Sequence, residues 1–485
     1  MNSMNFINLL NTTREVGRAS QLWSRGDCIV VAVSGGPDSI ALLHVLHALS
    51  QEAEGSFQLI CAHINHGFRG KESREEADFV RQIASDLQIP FELGEPDVTS
   101  YMIEAGLGLQ VAAREKRYEF LHDVASKYQA NSIALAHHAD DQAETVMFRI
   151  LRGTSPTGMA GMKLKRKQKK VELIRPFLRI YKTDLLEVCR NSGLDYRIDS
   201  SNLSNKYARN AVRLDVLPFL GQYNAQLVQS LNRLAEVAGE EDDYMQHEVQ
   251  VVYDRIVGQH GAGIVFSVKD YTGLHVALQR RLIKLILNYL PQGKEDMEYT
   301  TIERIREQVV QDRSTTWTVD IGGGLRCIRE YDTIYVLPDY MGLVKQEYTY
   351  QLEEIPARYP IPGTRSQLSV TASASGVLPD LDVWNWRSND KAVFDADELV
   401  YPLIVRSRLP GDVMKVMGLN GSKKVKDIFI DQKIPPSLRT KIPMVTDGAG
   451  RILWLPGVRR SALAVVSETT TSMVFMELES DRLSP

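Results

Sequence analysis

Residues 31–46 read VAVSGGPDSIALLHVL, and their interpretation sets the fold. The run CIVVAV (28–33) breaks off at Ser34-Gly35-Gly36-Pro37-Asp38-Ser39, and an apolar-periodic segment begins at once. That order predicts a strand, a tight turn and a helix. Glycines let the backbone approach a ligand closely and take up unusual dihedrals. The start of the following helix turns its unpaired amides and positive dipole end toward the turn, making an anion pocket. Ser34 and Ser39 add hydroxyl donors. Asp38 is the odd member, because a carboxylate beside phosphates repels them unless a cation mediates. The loop Ser34, Gly35, Gly36, Pro37, Asp38, Ser39 therefore reads as a pyrophosphate cradle for ATP, with a Mg²⁺ ligand in Asp38. It is neither a Walker A loop, whose lysine is missing, nor G-x-G-x-x-G.

The flanking sequence supports this. Short apolar runs at 28–33, 57–64, 90–94 and 132–138 alternate with helical patterns at 39–50, 72–88, 110–128 and 140–151. This predicts an α/β fold whose N-terminal part is a doubly wound parallel sheet. An acid-rich helical stretch follows at 216–245, with more helix at 278–290 and 299–312, then a β-rich segment to about 395. From 401 short strands with Gly and Pro turns predict a small C-terminal α+β or β-rich module. The expected domains are 1–216, 217–395 and 396–485, and a chain of 485 residues is long enough for several cores.

Two further constellations carry chemistry. HHADDQAET (137–145) follows the fourth strand, so it belongs at the carboxyl edge where such sheets bind ligands. His137, Asp140, Asp141 and Glu144 have the spacing of one helix face, although helix capping alone would account for Asp140 and Asp141. In LQVAAREKRYEF (109–120), Arg114 and Tyr118 share a helix face. A guanidinium suits a phosphoryl-transfer site because it holds two oxygens at once, but a surface arginine has the same pattern.

Charge adds a hint about partners. Hydrophobic residues make up 44% and charged residues 24%, ordinary for a soluble globular chain. The net charge of −4 hides a segregation, since Tyr401–Arg460 holds twelve Lys or Arg against four Asp. KLKRKQKK (163–170) has six cations in eight residues. Such clusters are either solvated surface or contacts for a polyanion. The chain shows no apolar run of a membrane span and no secretory signal, and its four scattered cysteines form no Cys-x-x-Cys pair. A cytoplasmic protein is expected, with no membrane partner.

SGGPDS at this position resembles the PP-loop of the ATP pyrophosphatases, which cleave ATP between the α and β phosphates. INHGFRGKESREEADFV (64–80), AAREKRY (112–118), HHADDQAET and DSSNLSNKYARNAVRLDVLPFL (199–220) follow it in the order and spacing of one bacterial family. That family is the tRNA(Ile)-lysidine synthetases. VRSRLPGD (405–412), KKVKDIFIDQKIP (423–435) and LPGVR (455–459) resemble its terminal domain. The resemblance implies an ATP-dependent ligase acting on tRNA(Ile) with a CAU anticodon. ATP activates C2 of the wobble cytidine, L-lysine displaces AMP, and the lysidine formed pairs with adenine, changing decoding from AUG to AUA. It implies Mg²⁺ on Asp38 and Asp141, and Arg114 and His137 meeting charge at the α-phosphate. It implies tRNA contacts from Arg209, Arg213, Arg406, Arg408, Lys423 and Lys424. It leaves a homodimer open.

Three other readings compete. A tRNA thiolase shares the ATP chemistry but needs cysteines to carry sulfur. A small-molecule PP-loop ligase or amidotransferase would lack the basic terminal module. An RNA-binding protein with a vestigial nucleotide fold would not turn over ATP.

Overall fold

The structure, a computed structural model, describes residues 4–52, 56–65, 71–197, 208–290, 299–311, 314–339, 347–374, 389–417 and 421–479. Residues 66–70 and 199–207, parts of two of the quoted motifs, lie outside the described residues. The chain divides into two compact units, Met1–Met245 and Gln246–Pro485.

The first unit is built on six strands: β1 (Cys28–Ala32), β2 (Gln58–Ile64), β3 (Phe91–Gly94), β4 (Ser132–Ala134), β5 (Lys165–Gln168) and β6 (Val171–Ile174). They lie in the order β3-β2-β1-β4-β6-β5, all parallel except β5. Its helices are α1 (Phe6–Ala19), α2 (Pro37–Ser50), α3 (Lys71–Asp86), α4 (Val98–Ala105), α5 (Leu109–Lys127), α6 (Ala139–Leu151), α7 (Pro156–Met159) and α8 (Lys182–Asn191). After α9 (Ala208–Ala211) come a π-helical turn at Val212–Val216, α10 (Leu217–Gly221) and the long α11 (Leu227–Ile256).

Strand alternation explains the double winding, because successive side chains point to opposite faces. Ile29, Val31 and Val33 pack with Ile40, Leu43 and Leu46 of α2, Leu9 of α1 and Leu185 and Val188 of α8. Val30, with Ile60 and Ile133, packs against Leu121 and Val124 of α5 on the other face. Helix α2 is apolar nearly all round because it is buried nearly all round. Each of its fully buried leucines contributes about 1.5–3 kcal/mol relative to an exposed one.

Several elements differ from expectation. The fourth strand stops at Ala134, so His137 and His138 lie between strand and helix. α1 and α8 were not predicted. Cationic KLKRKQKK supplies β5 and the turn of a hairpin with β6. Lys165 there pairs with Glu172 at 2.7 Å and Lys163 with Asp243 at 2.7 Å. Lysines on an edge strand also discourage pairing with another chain.

The second unit contains an antiparallel sheet of β7 (Val257–His260), β8 (Gly263–Ser267), β9 (Thr316–Gly322), β10 (Leu325–Glu330) and β11 (Thr333–Pro338). Its core takes Leu282, Ile286, Ile302, Ile305 and Val309 from helices Val276–Tyr289 and Tyr299–Val310. The β-rich reading of the segment to 395 holds. Strand Ser472–Glu479 returns to pair with both Gln367–Ala374 and Lys391–Asp395. Leu368, Val370 and Phe394 therefore share one core with Leu403, Val405, Trp454 and Val474.

Candidate active site

The opening turn is held by specific backbone geometry. Gly35 has φ +86°, a left-handed conformation that glycine takes without steric cost. Gly36 has φ −75° and caps α2, so its value is that no side chain fills the mouth of the loop. Pro37 opens the helix, and Asp38 sits in its first turn. Ser39 is 4% exposed, and its hydroxyl donates to the Gly36 carbonyl at 2.9 Å. It accepts from the Ser34 amide at 3.1 Å. Ser39 thus braces the loop from inside.

β1 and β4 are neighbours from which the strand order runs both ways, the place past whose carboxyl ends such sheets bind ligands. Asp38 comes from one strand end and the His138–Asp141 segment from the other. His138 lies between them, its Nε2 3.7 Å from Asp38 and 3.4 Å from Asp141. Its Nδ1 is 3.5 Å from Asp140. His138 is also the N-cap of α6, where Asp141 accepts its backbone N–H at 3.2 Å.

Sequence reasoning missed Lys182. This first residue of α8 places Nζ 2.7 and 2.6 Å from the two oxygens of Asp38. Its backbone N–H donates to Asp140 at 2.8 Å. A lysine 144 positions away leaves no local signal of this pairing. Choosing between His137 and His138 was equally beyond reach, because adjacent residues leaving a strand point apart.

Asp141 and Glu144, one helical turn apart, face the π-helical turn. Arg213 donates to Asp141 at 3.0 Å and forks onto Glu144 through Nε and through NH2, the latter at 3.0 Å. Arg209 reaches Thr145 at 3.2 Å and Glu144 at 3.5 Å. Such π-turns recur at functional sites because they re-aim a side chain. Both arginines lean inward on α6, with 37–40% of the side chain exposed.

Burial and charge compete at each group. Burial resists ionisation of Asp141, but His138, His137 and Arg213 outweigh it and hold the carboxyl low. Asp140 is likewise low, because His138 and the Lys182 amide overcome its burial. For His138 burial is outweighed by Asp140, Asp141 and Asp38, and its pKa is raised. Burial wins at Glu144, which is raised despite Arg213. It also wins at His137, pushed down to about 3, helped by Arg175, Arg209 and Arg114 against Asp141.

His137 precedes α6 and does not join its acidic face; its Nδ1 is buried without a hydrogen-bond partner among the described residues. Exposed Arg114 lies over the Tyr118 ring, 5.0 Å from its centroid, and donates to its hydroxyl at 3.4 Å. In the C-terminal module Arg406 forks onto Asp412 at 2.7 and 3.0 Å with little exposure. Lys423 pairs with Asp431. Lys424 is exposed and Arg408 half-exposed.

Asp38 and Asp141 aim hard oxygens at one nitrogen of His138, a donor set that suits a small divalent cation. Such a cation takes only one or two protein carboxylates when phosphates and water complete its shell. Among the described residues no three His, Cys, Asp or Glu form a fuller cage. The thiols offer no reactive sulfur. Cys189 lies 3.5 Å from the Pro37 carbonyl, and burial pushes it up to about 11; Cys61 goes up to about 12.

A parallel sheet with SGGPDS at its switch point defines a PP-loop nucleotide-binding domain, and residues 8–220 match the family model described as PP-loop domain. Residues 403–475 match the model described as TilS substrate C-terminal domain. The chain is 36% identical over 441 residues to tRNA(Ile)-lysidine synthase of Bacillus subtilis (strain 168), covering 90% of this chain and 91% of that protein. It is 33% identical over 473 residues to tRNA(Ile)-lysidine synthase of Geobacillus kaustophilus (strain HTA426), covering 97% and 99%. A crystal structure of a TILS C-terminal domain is 31% identical, covering 28% of this chain and 98% of that one, with a TM-score of 0.25. The chain belongs to the tRNA(Ile)-lysidine synthase family. No helix among the described residues is long and apolar enough to cross a membrane.

Proposed function

We propose that the chain joins L-lysine to C2 of the wobble cytidine in the CAU anticodon of tRNA(Ile), at the expense of ATP. One observation carries the mechanistic reading. Asp38 of the anion-binding loop and Asp141 of α6 meet at His138, so phosphate and nucleobase chemistry share one centre.

The cytidine carbonyl oxygen attacks the α-phosphate, forming an oxygen–phosphorus bond while pyrophosphate leaves. The ε-amine of lysine then attacks C2, AMP departs with the oxygen, and the amine gives up a proton. Residues 34–39 hold the leaving pyrophosphate through loop amides and the α2 dipole. Asp38 and Asp141 would hold Mg²⁺, which when bound neutralises phosphate charge. Lys182 guards Asp38 and hands the carboxylate over when nucleotide arrives. Arg114 and His137 face the α-phosphate, His137 as a neutral imidazole. Arg209 and Arg213 serve the reacting end of the tRNA. Arg406, Arg408, Lys423 and Lys424 belong to the remote tRNA surface, where Arg406 also organises its own turn. Residues 1–216 carry the chemistry, and 217–395 and 396–485 contribute RNA contacts, in a cytoplasmic enzyme.

The test is mass spectrometry of a CAU tRNA(Ile) incubated with the full chain, ATP, Mg²⁺ and labelled lysine. A lysyl-bearing cytidine with equal AMP and pyrophosphate is expected. ADP as the main product, or unlabelled cytidine, overturns the reading.

A further inference from the structure

Past the carboxylate cluster the chain turns a different chemistry to solvent. Arg209 reaches Thr145 and Glu144, and Arg213 reaches Glu144 and Asp141, so this segment runs back along α6 toward its start and the cluster. α10 carries on from there. Its Leu217 and Leu220 pack against Ala143 of α6, Val212 and Leu231 of α11, which leaves the other side of α10 facing out. On that side Phe219 is 54% exposed, and Tyr223 just beyond is 78% exposed. Their ring centroids lie 5.6 Å apart with the planes at 66°, an edge-to-face pair. Residues 216–232 hold no Asp, Glu, Lys, Arg or His.

A single exposed ring needs no explanation. Two rings in contact, one helical turn apart and next in the chain to the arginines of the reaction centre, do. The wobble cytidine lies in an unpaired loop, and the bases of such loops are recognised by splaying them out and stacking them on aromatic side chains. Every base has a π-face, so stacking needs no charge, and 216–232 offers rings without any. The helical path from Arg213 to Phe219 rises about 9 Å over six residues. Stacked nucleotides are about 3.4 Å apart, so the pair lies within about three nucleotides of a base that reacts beside Asp141.

We propose that Phe219 and Tyr223 form a stacking platform for an unpaired anticodon-loop base next to the wobble cytidine. The proposal rests on the tRNA-ligase reading and adds to it a surface that grips a base by its face, apart from the arginines and lysines that meet phosphates. A neighbour held in this way is no longer stacked on the cytidine, which frees the reacting base to leave the loop and enter the site.

The experiment measures the affinity of the full chain for tRNA(Ile) in a cycle of protein and RNA changes. The protein carries Phe219→Ala with Tyr223→Ala. The RNA lacks the base on one side of the wobble cytidine or on the other. The variant should bind intact tRNA about 10-fold more weakly but with the wild-type salt slope, because stacking releases no counterions. One of the two abasic RNAs should lose about 10-fold against the wild type and nothing further against the variant. Phe219→Leu with Tyr223→Leu keeps apolar bulk without a ring, so it should bind as weakly as the alanine pair, and it replaces that pair if the latter does not fold. Wild-type affinity in the double variants, no loss from either abasic RNA, or losses that simply add overturns the proposal. Additive losses together with a smaller sedimenting species would make the pair a contact between copies of this chain, which overturns it as well. Failure of the parent reading looks different, because the wild type itself would then form no lysyl-bearing cytidine.

Discussion

The centre of the first unit and the basic module of the second both concentrate charge, but they do so in opposite ways. At the centre the lysine and arginine pairings are long-range in sequence: Asp38 with Lys182, Glu144 and Asp141 with Arg213. In the module the contacts are local: Arg406 with Asp412, Lys423 with Asp431, Arg451 with Asp447. Catalysis needs groups held against one another at fixed distance, which only the tertiary fold supplies. Binding a polyanion needs surplus positive surface, which composition supplies, with local pairs fixing the turns that display it.

The sharpest way to break this contrast is at Asp38. Asp38→Ala should reduce AMP and pyrophosphate formation by at least about 10³-fold, because it removes charge at the reacting phosphates. Thermal melting should stay near wild type, since the core under α2 is untouched. Substantial turnover would mean that Asp38 serves only to neutralise Lys182.

Asp141→Asn comes next, with a loss of about 10²-fold or more in adenylation itself. The readout is label transferred from α-labelled ATP to tRNA in one turnover without lysine. Normal transfer followed by failure on adding lysine would reassign Asp141 to the amine, making it or Glu144 the proton acceptor.

The module should respond more mildly and in two distinguishable ways. Deleting residues from 401 onward is the wrong tool, because Ser472–Glu479 completes the sheet of Gln367–Ala374 and Lys391–Asp395. Arg408→Glu with Lys424→Glu and Lys426→Glu should instead weaken tRNA binding by about 10-fold or more and flatten its salt dependence. ATP binding should be unchanged. Arg406→Ala should cost about 2 kcal/mol of stability, measured by denaturant unfolding, because it removes the charged hydrogen bonds to the half-buried Asp412 carboxylate. If the triple variant bound tRNA normally at every salt concentration, the surplus charge would be plain solvated surface.

The smallest effect is a titration. His138 is raised by its three carboxylates, so it stabilises the fold below the unfolded value of about 6.5. That contribution fades as pH rises through the folded pKa. Asp141 is lowered, so its contribution is present above the unfolded value of about 3.9 and is lost as pH falls through the folded one. Proton NMR of His138 should show its pKa falling toward the ordinary value in Asp141→Asn. An unmoved titration would remove Asp141 from the cluster's electrostatics.

Much of this is legible in the amino-acid sequence. The SGGPDS turn and the alternation of strand and helix patterns dictate a doubly wound sheet, since β-branched runs and 3.6-residue periodicity each suit one local geometry. Asp38 and Asp141 were readable because they sit beside strand ends, where such folds bind ligands. Lys182 was not, nor the choice of His138 over His137 as the residue among the carboxylates, nor the inward turn of Arg209 and Arg213. Those follow from which strands are neighbours and where α8 and the π-turn pack, and nothing near these residues encodes it. Sequence by itself determined the local elements and the chemical inventory, because backbone sterics and side-chain solvation act within a few residues. Tertiary structure decided which charges face one another, because electrostatic pairing depends on distances that only the packed sheet establishes.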